Sequence, residues 1–162
     1  NFRDTSRRRE GRHRKNKERT NSKNKDFINL VSKLNAELKV IDGDDHDFYM
    51  QYNGLDQLNN VIVFYKNNSA LCCGAFKEFN STTVEIKRMY TNKDARGKGF
   101  ATKILLELES WAKELGYKSI VLETGKRQED AVGLYKKNGY IVTKNFGPYI
   151  GIDNSVCFIK ML

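Results

Sequence analysis

Cross-linking and metal-binding residues are scarce in this chain. Its 162 residues include three cysteines, two histidines and one proline. Cys72 and Cys73 are adjacent in a strand-like run and so point to opposite faces, while Cys157 is remote in sequence. A disulfide framework is thereby excluded. Cysteine and histidine fall at no standard ligand spacing, so no metal is expected. Free thiols predict a reducing compartment, the cytoplasm. Long apolar runs are missing too: none approaches the ~20 residues of a membrane helix, and no membrane partner is expected. The opening stretch, Asn1 to Thr20, is basic with no apolar run behind it, so no signal peptide is expected. The one proline, Pro148, falls in the loop expected before the last strand. A composition of 39% hydrophobic and 30% charged residues suits one globular domain of this length.

Positive charge is abundant but local. Of the net +9, residues 1–25 hold +8, from eleven Lys and Arg against three Asp and Glu, and residues 26–162 hold +1. The folded part is nearly neutral and carries no nucleic-acid footprint. The basic segment contains Arg7-Arg8-Arg9 and Arg12-His13-Arg14-Lys15, with Phe2 as its one large apolar residue. It buries too little apolar surface to offset the entropy of ordering, so residues 1–25 are expected to form a disordered tail or a loosely held helix. The tail is either a solvated appendage or an electrostatic arm for nucleic acid. It lacks the interleaved aromatics that stack on bases.

Helical and strand signals alternate in the remainder. Asp26 is the expected N-cap of a helix over 26–39, with Phe27, Leu30, Val31, Leu34 and Leu38 at helical spacing. A short helix over 46–52 lies in a polar, turn-rich stretch. Strands over 61–65, 70–79 and 83–90 form an antiparallel meander. Ala101, Ile104, Leu105, Leu108, Trp111, Ala112 and Leu115 make a long apolar stripe of period 3.6, with Gly116 as C-cap. A buried strand at 119–122, a helix at 128–137 and strands at 140–143 and 156–161 follow.

The most informative segment is Ala95-Arg96-Gly97-Lys98-Gly99-Phe100-Ala101, between a strand and the long helix. Small residues at 97, 99 and 101 let backbone approach a ligand closely. The free N–H groups of the helix start, the helix dipole and the charges of Arg96 and Lys98 favour an anion there. The pattern suits a pyrophosphate cradle. A Walker A loop is absent. A dinucleotide fingerprint fits poorly, because Thr102 stands where glycine or alanine is needed and the preceding strands form a meander.

These residues resemble the GNAT superfamily of acyl-CoA-dependent N-acetyltransferases. Arg96-Gly97-Lys98-Gly99-Phe100-Ala101 fits its Gln/Arg-x-x-Gly-x-Gly/Ala loop, and Ala131-Val132-Gly133-Leu134-Tyr135-Lys136-Lys137-Asn138-Gly139-Tyr140 fits its second motif, in the right order. The resemblance covers residues 26–162. It implies an α/β fold (α+β mixed sheet), mainly antiparallel, with a splayed parallel pair and flanking helices. Gln128 stands where the family often has asparagine, and Lys93 where proline is common. The family's first strand should lie within 13–20, which has no strand pattern; that strand is either missing or polar and on the sheet edge.

The resemblance also implies a chemistry: transfer of acetyl from acetyl-CoA to a primary amine of a small molecule or peptide, in a ternary complex. Met89 would polarise the thioester carbonyl through its backbone N–H, and the Thr91 backbone and Gln128 would hold the pantetheine arm. Arg96, Gly97, Lys98, Gly99, Phe100 and Ala101 would take the pyrophosphate. Tyr135 would be the general acid, a phenol of pKa about 10 being able to protonate a thiolate of pKa about 8.5. Glu85 is the first candidate base, its even spacing from Met89 placing both side chains on one strand face; Glu123 is the second and His46 the third. Tyr49, Tyr52, Phe146 and Tyr149 are expected near the acceptor. A homodimer is a further expectation from the fold. Two rival readings are a CoA-binding module without turnover and a nucleic-acid-associated protein acting through its tail.

Overall fold

A computed structural model describes residues 16–52 and 57–162, with Gln51 and Tyr52 through their backbone alone. The tail motifs Arg7-Arg8-Arg9 and Arg12-His13-Arg14-Lys15, and the expected acceptor contact of the Tyr52 side chain, lie outside the described residues.

Seven strands form one sheet in the order β1-β2-β3-β4-β5-β7-β6. They are β1 (Lys17–Thr20), β2 (Asn60–Lys66), β3 (Ser69–Asn80), β4 (Thr83–Thr91), β5 (Ser119–Gly125), β6 (Ile141–Thr143) and β7 (Ser155–Met161). Neighbours are antiparallel except β4 and β5, which run parallel. Among the described residues four α-helices accompany them: α1 (Lys25–Asp42), α2 (His46–Tyr52), α3 (Phe100–Glu114) and α4 (Glu129–Lys137). None of the described helices is long and apolar enough to cross a membrane.

β1 revises the expected boundary at residue 25. Residues 17–20 pair in register with β2, Lys17 opposite Phe64 and Thr20 opposite Val61. The strand was illegible because an edge strand exposed on both faces needs no apolar alternation. Its charges are used locally: Arg19 donates to Glu114 at 2.6 Å and lies 4.9 Å from the Trp111 ring centroid, and Lys17 pairs with Glu107. The cap of α1 is also revised. Asn24, not Asp26, accepts the Phe27 N–H, at 2.9 Å, and Asp26 instead accepts from the Tyr65 hydroxyl at 2.7 Å.

Apolar stripes place the helices on the two sheet faces. α3 buries Ile104, Leu105, Leu108 and Ala112 with Phe76, Val84, Ile86, Ile120, Leu122 and Phe158. α1 buries Phe27, Leu30 and Val31 on the opposite face with Val61, Val63, Cys73, Ala75 and Tyr90.

Two irregularities in β4 shape the molecule. The first is a bulge: Cys73 pairs with Tyr90 but Ala75 with Lys87, so β4 carries one extra residue, and Arg88 adopts φ +60°. The bulge reverses the alternation of side chains. Val84, Ile86 and Met89 therefore pack on the α3 face, whereas Tyr90 joins the α1 cluster. The expectation that Glu85 and Met89 share a face is overturned, because even spacing gives a common face only in an unbulged strand. The second irregularity is a splay. β4 pairs with β5 only where Thr83, Val84 and Glu85 meet Ser119, Ile120 and Val121; beyond that point the strands share no register.

Candidate active site

The splay opens into a cavity of about 880 Å³. β4 from Glu85 to Thr91 lines one side, and Glu123, Thr124 and Gln128 line the other. The glycine loop closes one end, and Leu34, Glu37, Leu38 and Ile41 of α1 cover it.

At the loop end, Gly97 and Gly99 have φ +75° and +85°, and a Cβ on either would meet open space. Their requirement is therefore one of backbone conformation. Gly99 is the N-cap of α3 and supplies no side-chain cap. The first-turn N–H groups have no helical partner by geometry, which leaves donors for an anion. Phe100, Ala101, Met89, Thr91 and Gln128 all line the cavity; Lys98 is exposed and does not. Arg96 lines it too, but its charge is engaged: Nη2 donates to both Glu37 carboxylate oxygens at 2.9 and 2.8 Å, and Nε to the Thr91 carbonyl at 2.9 Å. Arg96 thus ties α1 to the loop.

Further along the gap, Tyr135 is buried and lines the cavity. Its ring also packs edge-on against Tyr140 at 5.7 Å and tilted against Phe158 at 5.9 Å. Burial, with the nearby Glu123 charge, raises its pKa above the ordinary phenol value, so it stands protonated as a donor. Glu85 is buried, with Oε2 3.1 Å from Lys87 Nζ. Lys87 also donates to the Tyr149 hydroxyl at 3.3 Å. Glu123 accepts from Ser155 Oγ at 2.7 Å. Burial pushes its carboxyl up to about 7, against the opposing pull of the Ser155 hydrogen bond and the Lys87 charge.

The expected acceptor residues separate. Tyr149 lines the cavity, but Tyr49 and Phe146 do not. Tyr49 is buried beneath the site, its hydroxyl bonded to Ser155 at 2.9 Å. The Phe146 ring packs edge-on against Phe79 at 5.1 Å and Tyr149 at 5.9 Å. His46 is half-buried, with Nδ1 3.9 Å from Asp42 Oδ2, and it does not reach the cavity either. Residues outside the sequence-based site candidates also bear on the site: Lys87, Ser155, Asn154 and Arg127, whose Nη1 donates to the Asp42 carbonyl at 2.8 Å. The partners of Ser155, Asn154 and Arg127 lie far away in sequence, so no local pattern announces them, whereas Lys87 stands two residues from its partner Glu85.

The sequence profile described as the acetyltransferase (GNAT) family matches residues 28–140. The IAA acetyltransferase of Azospirillum brasilense is 32% identical over 89 residues, 54% of this chain and 58% of the relative, so under two thirds of that protein is spanned. YsnE of Bacillus subtilis, an uncharacterized N-acetyltransferase, is 36% identical over 115 residues, 67% of this chain and 76% of its own. A Klebsiella pneumoniae protein assigned to the acyl-CoA N-acyltransferases superposes with a TM-score of 0.74 at 27% identity, over 90% of this chain and 96% of the other. A GNAT family acetyltransferase of Elizabethkingia anophelis, solved with acetyl-CoA bound, superposes with a TM-score of 0.56 at 20% identity, over 77% and 88% of the two chains. The profile spans more than half of the chain and includes both motif segments, one at the mouth of the splayed pair and one along its wall: this chain belongs to the GNAT family of acetyltransferases.

Proposed function

We propose that this chain transfers an acetyl group from acetyl-CoA to an amine of a small molecule or peptide, by direct attack in a ternary complex. The observation that carries this reading is the three-pair contact of β4 with β5, which opens a cavity running from the glycine loop to Glu85, Glu123 and Tyr135. The residues present fit the cofactor: a backbone edge of β4 without a strand partner beyond Glu85, positive-φ glycines facing open space, and an uncapped helix start. When bound, acetyl-CoA supplies an activated acyl group on a thiol leaving group.

The amine nitrogen forms a bond to the acyl carbon as the carbon–sulfur bond breaks. The amine proton leaves to a carboxylate, and the departing sulfur takes a proton from the Tyr135 hydroxyl. The backbone N–H of Met89, beside the bulge, is the proposed donor to the thioester oxygen. The Thr91 backbone and Gln128 hold the pantetheine arm. An alkyl amine of pKa near 10.4 enters mostly as ammonium, so a base that titrates near neutrality is useful. Glu123, at about 7, suits that task better than Glu85, which is engaged by Lys87. A reducing compartment such as the cytoplasm fits the free thiols Cys72, Cys73 and Cys157.

The test is acetyl-CoA turnover, followed as free thiol release across a panel of amines, amino acids and peptides. Turnover that falls about 10²-fold or more in Tyr135→Phe, with acetyl-CoA affinity retained, supports the reading. Binding of acetyl-CoA with no turnover on any acceptor would favour a CoA-binding module.

A further inference from the structure

A chain of hydroxyls holds Glu123, and the reaction chemistry above does not use it. Ser155 Oγ donates to Glu123 Oε2 at 2.7 Å. With that proton committed, the Tyr49 hydroxyl is the donor in its 2.9 Å contact with Ser155 Oγ. Asn154 Nδ2 in turn donates to the Tyr49 hydroxyl at 3.3 Å. The donors therefore run one way, from Asn154 through Tyr49 and Ser155 to Glu123. Separate elements supply them: Tyr49 comes from α2, Ser155 opens β7, and Glu123 belongs to β5. Tyr49 is 5% and Ser155 3% exposed, so water does not compete for these bonds. Glu123 lines the cavity, but Ser155 and Tyr49 do not. They can act on the reaction only through Glu123.

We propose that Ser155 and Tyr49 are positioning residues for Glu123, fixing Oε2 from below so that Oε1 meets the acceptor amine, and holding the carboxylate ready to ionise. The proposal rests on the reading of Glu123 as base. The other groups around it are accounted for. Glu85 of β4 and Asp42 at the end of α1 raise its pKa, and Lys87 of β4 lowers it. Tyr135 of α4, Tyr149 in the loop before β7 and Cys157 of β7 also face this carboxylate, and burial keeps all of them protonated. Removing the Ser155 hydroxyl changes none of those groups. It removes one charge-assisted hydrogen bond.

The test reads Glu123 directly. Protein carrying ¹³C at the glutamate carboxyls is titrated by NMR, and the Glu123 resonance is identified by its loss in Glu123→Gln. Ser155→Ala is expected to raise the Glu123 midpoint by about one pH unit. Tyr49→Phe, which keeps the ring in place, is expected to raise it by less. The double variant is expected to match Ser155→Ala alone, because Tyr49 acts through Ser155, and Ser155→Thr is expected to restore the parent midpoint. An unmoved midpoint in folded Ser155→Ala, or full additivity in the double variant, overturns the proposal. Should Ser155→Ala not fold, an unmoved midpoint in Tyr49→Phe overturns it. The base reading is decided separately by the parent: a midpoint near the ordinary 4.5 that still moves in Ser155→Ala keeps the hydroxyl chain and sinks the base.

Discussion

Glu123 illustrates how one residue takes its chemistry from its surroundings. Burial holds its proton up to about pH 7, although a serine and a lysine both favour the charged form. The linkage has a definite sign. A carboxyl raised in the folded state adds no penalty below the unfolded value, where both states are protonated, and destabilises the fold increasingly as pH rises from 4.5 to about 7. Glu123→Gln is therefore expected to gain stability relative to the parent at pH 8 compared with pH 4, by about 1–3 kcal/mol in denaturant unfolding. The same variant is expected to lose about 10²–10⁴-fold in kcat and to lose the acidic limb near pH 7. Tyr135 likewise takes its raised pKa chiefly from burial, and its ring packs against Tyr140 and Phe158 while the residue lines the cavity. At this scale the motif carried Tyr135 and the glycines. Ser155 was illegible, because its value lies in partners distant in sequence, Glu123 and Tyr49.

Among the elements, β4 matters most. Its bulge turns Met89 onto the α3 face, where it meets Gly74 of β3. A Cβ at Gly74 would lie 2.5 Å from Met89 Sδ, 2.6 Å from Ile104 Cγ2 and 3.1 Å from Leu108 Cδ1. Gly74 is therefore a packing glycine, and Gly74→Ala is expected to destabilise by about 1–3 kcal/mol and to push α3 off the sheet, read as a lower midpoint in urea unfolding. The long helix was legible because its stripe repeats over four turns, and the hairpin at Asn67 and Asn68 because these residues accept φ of +52° and +66°. The bulge was not legible: Arg88 at φ +60° is a residue type that rarely adopts that conformation, and no local pattern marks it. β1 escaped for the opposite reason, its polar residues satisfying an exposed edge that imposes no pattern.

Across the whole molecule, the sheet's two halves meet along a short seam, and the cavity exists because they part beyond it. α1 bridges the gap, tied to the glycine loop by Glu37 and Arg96 and to the segment after β5 through Arg127. The fold begins earlier than charge counting suggests. A chain starting at residue 25 loses β1 and its pairing with β2, and is expected to be less stable by about 2 kcal/mol, a fall of about 4–8 °C in Tm. Fold class and the glycine loop at the end of the cavity were readable from the sequence because two short motifs encode backbone geometry. The far end of the cavity was not, since Glu85, Glu123, Tyr135 and Tyr149 come from β4, β5, α4 and the loop before β7.

In the proposed function the splayed strands and the glycine loop hold acetyl-CoA. Calorimetric titration of the parent and of a folded Gly97→Pro/Gly99→Pro variant tests it most directly. Saturable one-site binding is expected in the parent and none in the variant, whose backbone cannot adopt φ +75° and +85°. A folded parent that takes up no acetyl-CoA, or a variant that binds as well as the parent, would contradict it.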